Sequence, residues 1–330
     1  MQQRVLGRTG RMVSVVGLGT WQLGADWGDV SEEDARAVLE TSLEHGVTFY
    51  DTADVYGDGR SEQIIGGFLA DHADAGITVA TKMGRRADQV PQSYVLDNFR
   101  QWTDRSRKNL GVERLDLVQL HCPPSAVVTD DEVYDALDTL VADGVTAAYG
   151  VSVETVDQAL AAIARPGVAS VQVILNAFRH KPLEQVLPAA SAAGVGIIAR
   201  VPLASGLLSG RYTAETTFAD DDHRTFNRSG DAFDVGETFS GVPFETGVEA
   251  AQRFTALAAD LPGDLTPAQA ALAWVWQRPG VSTVIPGARN PEQARLNAAA
   301  GDADVLGPLF AAGVKEIYDD AIREHVHDRW

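Results

Sequence analysis

Cysteine is almost missing from this chain: among 330 residues only Cys122 occurs. An intramolecular disulfide and a zinc cluster built on several thiolates are thereby excluded, and a reducing cytoplasm is the expected compartment. No apolar run is long enough to cross a bilayer. The opening MQQRVLGRTGRMVSVVGLG carries charges where a secretory signal needs an uninterrupted apolar segment, so neither export nor a membrane is expected. Basic residues are scarce, 27 Lys and Arg against 46 Asp and Glu, for a formal net charge of -19. That balance disfavours nonspecific contact with DNA, RNA or an anionic membrane. An anionic cofactor stays possible, because one local Arg or a helix N-terminus holds a phosphate against the global field. A strand–GxGxxG–helix fingerprint is also wanting. Gly17-Leu18-Gly19 is too short a signal in the wrong context, which argues against a Rossmann domain.

What the chain does contain is regular alternation. Residues 1–6 and 12–16, split by the turn Gly7-Arg8-Thr9-Gly10, predict a small hairpin with a structural role such as closing the bottom of a barrel. Short apolar strands are predicted at 16–20, 47–50, 77–81, 115–120, 147–151, 170–174, 195–200 and 282–285. Helical patterns lie at 31–44, 61–69, 93–110, 131–142, 153–164, 183–193 and 266–276, the last with Thr266 as cap and Pro267 in the first turn. Eight strands, most followed by a helix, fit a βα series, since each parallel step needs a crossover and both sheet faces need cover. About 250 residues commonly suffice for such a fold. The expected architecture is a single (β/α)8 TIM barrel over residues 1–330, with an N-terminal β-hairpin and a long loop over the C-terminal mouth. That loop is residues 212–245, rich in Asp, Gly, Thr, Ser and aromatics, and reads as a cofactor clasp or substrate lid or as plain ordered surface. Residues 308–330 form a C-terminal helix and tail.

Strand C-termini of a barrel share one mouth, and there the sequence places Asp51, Lys82, His121, Ser152, Gln172 and Arg200. Asp51-Thr52-Ala53-Asp54-Val55-Tyr56-Gly57 sets an acid after one strand and a phenol five positions on. Taken singly, Tyr56 reads as a packing residue, Asp51 as a cap, His121 as a strand-end hydrogen-bonding group and Lys82 as a solvated charge. Together, at ordered strand ends, they resemble the aldo-keto reductase family, especially bacterial members with a GLGTW opening and an Ile-Pro-Gly-Ala-Arg segment, from about Val5 through the Asn297 region. The resemblance implies reduction of a carbonyl by hydride transfer with Asp51, Tyr56, Lys82 and His121 as the catalytic set. A phenol with a pKa of about 10 donates readily to a developing alkoxide. Lys82 is expected to lower the Tyr56 pKa, Asp51 to hold Lys82, and His121 to hydrogen-bond the carbonyl oxygen. A zinc site on Asp51 and His121 lacks further ligands in a recognised spacing, so no metal is expected.

The implied cofactor is NADPH/NADP+, with NADH possible. Asn290 reads as an N-cap and Pro291 as a first-turn proline, which puts Gly287 and Arg289 beside an exposed helix N-terminus suited to phosphate. By resemblance, Arg289 lies near the adenosine phosphate and favours NADPH, Gln293 and Asn297 contact the adenosine end, and Ser152 and Gln172 hydrogen-bond the carboxamide. Thr20 and Trp21 line the cleft, while Pro202, Leu203 and Gly206, after the seventh strand, join Asp51 among the cofactor contacts. Two positions depart from the family pattern. Val153 stands where an Asn usually follows Ser152, and Arg200 stands where an aromatic usually stacks on nicotinamide, a surface its planar guanidinium can also offer. The partner is a small-molecule carbonyl or alcohol, and the chain a monomer or homo-oligomer. The same centre suits NAD(P)+-dependent oxidation of an alcohol, sugar or polyol. A low-turnover NADPH-binding redox sensor attached to a larger assembly is the reading from a different class.

Overall fold

The computed structural model describes residues 1–24 and 30–330. Eight strands, β3 (Leu18–Gly19), β4 (Phe49–Asp51), β5 (Thr78–Met83), β6 (Leu117–His121), β7 (Tyr149–Ser152), β8 (Val168–Ile174), β9 (Gly196–Arg200) and β10 (Val281–Val284), pair in parallel in chain order. Parallel bridges Val16–Val284 and Gly19–Gly287 bring the last strand back to the first and close the barrel. Helices pack outside it between the strands. The predicted α/β barrel is thus the observed one, and the hairpin β1 (Gln3–Val5) with β2 (Met12–Ser14) precedes it.

Side chains two apart along a strand share a face. Phe49, Ala80, Leu117 and Ile198 accordingly form one apolar cluster, which Leu6 and Val13 of the hairpin region join from below. Gly7 takes a φ of 47°, and a Cβ there would lie 2.1 Å from the Gly196 amide nitrogen, so only glycine lets the hairpin approach β9 so closely. Two residues up on the same strand faces stand Asp51, Lys82, Gln119 and Arg200. An apolar plug carries a polar layer, and the polar layer is the mouth.

Several boundaries differ from expectation for identifiable reasons. The strand predicted at 16–20 pairs as a ladder only over Leu18–Gly19. Strands β4 to β7 run one or two residues further toward the mouth, so Asp51, His121 and Ser152 end their strands rather than follow them, and Lys82 lies inside its own. The helix predicted at 93–110 begins at Leu96, because Val95 stays extended after the turn Pro91–Ser93. The one predicted at 183–193 breaks at Gln185 into Lys181–Glu184 and Val186–Ala193. Pro188 would clash with the Glu184 carbonyl in a continuous helix. The one predicted at 153–164 starts at Val156, behind a capping box in which Thr155 and Gln158 satisfy each other's amides. Phe244–Ala259, a 16-residue helix, was assigned no element from the sequence. Its buried face is mostly alanine and glycine, too weak a periodic signal to stand out. The C-terminal stretch is helical from Gly307 through Val326, with a wider turn at Tyr318–Ile322. Among the described residues no helix is long and apolar enough to cross a membrane.

Thr266 caps Pro267–Trp276 as predicted, with Gln269 closing a capping box. Replacing Thr266 with Ala removes that acceptor and should lower unfolding free energy by about 1 kcal/mol. A chemical denaturation midpoint indistinguishable from that of the parent would contradict it.

Candidate active site

Asp51 and Lys82 leave β4 and β5 pointing into the barrel, and both are almost wholly buried. Lys82 Nζ donates to Asp51 Oδ1 at 2.5 Å and to the Thr52 carbonyl at 2.9 Å. Asp51 Oδ2 accepts from Gln172 Nε2 at 2.7 Å and Gln119 Nε2 at 3.2 Å. A buried ion pair survives only when its remaining lone pairs and protons are satisfied, and the two glutamines do that here. Burial pushes the Lys82 ammonium down, but Asp51 and Tyr56 together outweigh it and hold its pKa above the ordinary value. Lys82 stays charged.

The Tyr56 hydroxyl lies 3.4 Å from Lys82 Nζ. Tyr56 begins a turn pressed against the first mouth segment: Gly57 has φ 59°, and a Cβ on it would sit 2.1 Å from the Gly24 carbonyl oxygen. His121 meets the phenol edge-on, with ring centroids 5.9 Å apart at 85°, and Trp21 stands 6.4 Å away. The expected lowering of the Tyr56 pKa needs correction. Burial raises it more than Lys82 pulls it down, with Asp51 adding to the rise. Lys82 acts in the expected direction, and desolvation wins. His121 is held far below its ordinary pKa by burial and then by Arg85, Lys82 and Arg200. At neutral pH it is an uncharged imidazole whose buried Nδ1 meets no protein partner.

The four residues expected to act together therefore converge; the outlying ones divide. Thr20 is fully buried and donates to the Asp51 carbonyl at 2.8 Å. It braces the strand instead of lining the cleft. Gln172 gives its Nε2 protons to Asp51 and Gln119, which leaves its Oε1 for another donor, and Ser152 Oγ contacts Cys122 Sγ at 3.5 Å. Asn290 accepts from the Gln293 amide at 2.9 Å, confirming the predicted cap. Gln293 Oε1 receives the Arg289 amide at 2.9 Å and Asn297 Nδ2 bonds the Gly287 carbonyl at 3.1 Å. Both side chains staple the Gly287–Arg289 turn to the helix. The Arg289 guanidinium is half-buried and near Arg224 and Asp222. Pro202 is buried and Leu203 partly so, and Gly206, with φ 97°, packs so closely on Tyr212 that a Cβ would lie 2.3 Å from its hydroxyl.

Arg200 occupies a setting the sequence did not suggest. Its guanidinium donates to Glu154 Oε2 at 2.8 Å, to the Val153 carbonyl at 3.0 Å and to Glu237 of the long loop. Cys122, Glu154 and Glu237 bring ligand-type atoms within 4.8 Å of one another. Arg200 contacts all three and supplies the cation they surround. Burial alone would raise Glu154, but Arg200 and Arg85 hold it below the usual carboxylate range. Glu237 is pushed up by burial beyond what Arg200 offsets. Gln119, Arg85, Glu154 and Glu237 are the site residues that sequence reasoning missed. Of these, only Gln119 carried a signal, as an inward position two before His121.

Comparison with known proteins identifies the framework. Residues 15–319 match the aldo/keto reductase family. The chain belongs to that family. It is 35% identical over 305 residues to an uncharacterized oxidoreductase of Mycobacterium tuberculosis, covering 89% of this chain and 86% of the relative. The glycerol dehydrogenase of Gluconobacter oxydans superposes with a TM-score of 0.76 at 28% identity, covering 98% of this chain and 95% of that one. An aldo-keto reductase of Klebsiella pneumoniae, solved in complex with NADPH, matches in fold with a TM-score of 0.70 at 24% identity, over 96% of both chains.

Asp54, two residues before Tyr56, is fully buried with neither carboxylate oxygen hydrogen-bonded. Arg86 and Arg105 donate to its backbone carbonyl instead. Burial, reinforced by Glu62, raises its pKa to about 7. The folded state therefore binds this proton more tightly than the unfolded chain, so the contribution is full below about pH 4 and is lost as pH rises toward 7. Asp54→Asn should flatten that part of the stability profile, measured as the difference between variant and parent denaturation from pH 4 to 8. Parallel profiles would show that Asp54 does not carry the buried proton.

Proposed function

We propose that this chain reduces an aldehyde or ketone to an alcohol using NADPH, with Tyr56 as the proton donor. The observation carrying this reading is the Tyr56 hydroxyl 3.4 Å from a charged Lys82 that is itself locked to Asp51. A neutral His121 stands beside it. The residues fit a nicotinamide cofactor. A capped helix N-terminus with Arg289 is suited to phosphate. At the other end, a buried His121 nitrogen without a protein partner marks a polar point in the mouth. Ser152 ends its strand next to it in register. Ser152 and Gln172 are assigned to the carboxamide, Arg289 to the adenosine phosphate, and Gln293 and Asn297 to shaping its turn.

When bound, the cofactor supplies the hydride that the carbonyl carbon accepts. Charge then grows on the carbonyl oxygen, where Tyr56 delivers its proton. A phenol whose pKa is raised by burial keeps that proton through neutral pH. The phenolate left behind faces Lys82, whose ammonium stabilises it at the moment it forms. Asp51 contributes by holding Lys82 in place, with Gln119 and Gln172 fixing the carboxylate. An uncharged imidazole is a poor acid, so His121 positions the carbonyl oxygen by a hydrogen bond and leaves proton delivery to Tyr56. Trp21 walls the cleft, with His223 and Phe233 of the long loop against it. The same groups run the oxidation of an alcohol in reverse.

Tyr56→Phe retains the ring and removes the proton. Single-turnover hydride transfer should fall by about 10²- to 10⁴-fold while NADPH binding stays near normal. Unchanged transfer would reject Tyr56 as the acid. The assignment of Arg289 predicts a lower Kd for NADPH than for NADH and loss of that preference in Arg289→Ala. Equal affinities in the parent protein would refute it.

A further inference from the structure

Several arginines stand near Tyr56 and His121, and most are committed to protein partners. Arg200 is held by Glu154, Glu237 and the Val153 carbonyl. Arg86 and Arg105 share Asp58 and the Asp54 carbonyl. Arg85 is placed differently. Its Nε donates to the His121 carbonyl at 3.3 Å, while Nη2 stops 3.7 Å from Glu154 Oε1, short of a hydrogen bond. Glu154 and Glu237 both pair with Arg200, so among the described residues Arg85 has no carboxylate to itself. Of the five N–H donors of its guanidinium, one is hydrogen-bonded within the described residues.

The turn that carries Arg85 is fixed. Gly84 takes φ 118°, a Cβ there would lie 3.1 Å from the Tyr94 hydroxyl, and Gln89 Nε2 donates to the Gly84 carbonyl at 2.8 Å. Tyr94 in turn donates to Gln89 Oε1 at 2.8 Å. Arg85 therefore leaves the mouth end of β5 in a defined direction, with its side chain still 30% exposed. His121 touches both neighbours: its ring meets Tyr56 edge-on and its carbonyl accepts from Arg85. The guanidinium charge also reaches the imidazole, where, after burial, it acts more strongly than Lys82 or Arg200 in keeping His121 uncharged.

We infer that Arg85 is a specificity-determining residue that pairs with a carboxylate on the substrate, so that the carbonyl compounds this mouth favours are oxo acids. This deepens the reductase reading and rests on it for the carbonyl end, which Tyr56 and His121 receive. The fork of a guanidinium matches the two oxygens of a carboxylate, and spare donors in a partly open site hold such a group by charge-assisted hydrogen bonds. Glu154 limits the charge of that group. Burial opposes the Glu154 charge, but Arg200 and Arg85 outweigh it. One guanidinium beside an ionised Glu154 suits a monoanion, whereas a dianionic phosphate would meet more repulsion with the same single cation to offset it. A net charge of -19 otherwise repels anions from the chain, which makes a cation at the mouth the place where one is admitted.

The test compares acids of increasing reach, glyoxylate, 4-oxobutanoate and 4-carboxybenzaldehyde, each with its own primary amide as the neutral control and NADPH as reductant. In the parent protein kcat/KM for at least one acid should exceed that for its amide by about tenfold or more. Arg85→Met should bring that ratio to about one. Amides reduced as well as their acids throughout the parent series overturn the inference, and so does a ratio that survives Arg85→Met, because a merely structural role lowers acid and amide alike. The parent comparison needs no variant, and Arg85→Lys, which keeps the charge without the fork, should retain part of the ratio and serves if Arg85→Met folds poorly. If no carbonyl of the series, charged or neutral, is reduced, the reductase reading fails instead. Arg85 is then decided by calorimetric titration of 4-(hydroxymethyl)benzoate and its amide into the parent and Arg85→Met. Tighter binding of the acid, lost in the variant, supports the carboxylate site, and equal affinities overturn it.

Discussion

Lys82 and Asp51 form a charge pair inside a barrel whose lower half is an apolar plug. Taking two ions from water costs several kcal/mol each, and their attraction offsets that only in good geometry with every remaining polar atom satisfied. The arrangement around them follows from this requirement. Gln119 and Gln172 fill the far side of the carboxylate, the Thr52 carbonyl takes another ammonium proton, and Thr20 braces the strand that carries Asp51. Tyr56 is then the open side of an otherwise completed shell, the one partner of Lys82 that also faces the cleft.

Desolvation favours the uncharged form of each of these groups, with different results. It keeps the Tyr56 phenol protonated, keeps His121 uncharged and opposes the Lys82 charge without defeating it. A protonated phenol, an uncharged imidazole and a fixed cation are thereby set within a few ångströms of one another by environment alone. A second charged group, Arg200 with Glu154 and Glu237, stands apart from the first and ties the long loop to the barrel. One cluster fixes a charged Lys82 beside the Tyr56 hydroxyl.

Much of this was legible beforehand. Hydrophobic runs separated by helical spacing imply parallel strands with crossovers, and reactive residues at the ends of such strands must converge. Asp51, Tyr56, Lys82 and His121 were therefore readable as a group although each alone is unremarkable in type. Caps at Thr266 and Asn290 were readable because a hydroxyl or amide before Pro satisfies the first turn locally. Strand ends and the break at Gln185 were misjudged, since ladder length depends on the neighbouring strand and a proline's clash reaches back four residues. The helix Phe244–Ala259 escaped because small residues bury against Leu207 without an apolar stripe to announce it.

Local sequence determined the order of elements, the caps, the proline breaks and which four side chains share the mouth, because period, capping and steric clash act between near neighbours. Only the tertiary structure decided how charged those side chains are and which partners they keep. Burial outweighing Lys82 at Tyr56, the two glutamines closed on Asp51, and Glu237 brought 37 positions along the chain to Arg200 all depend on desolvation and long-range contact. Such quantities are sums over the folded surroundings, and no stretch of sequence contains them.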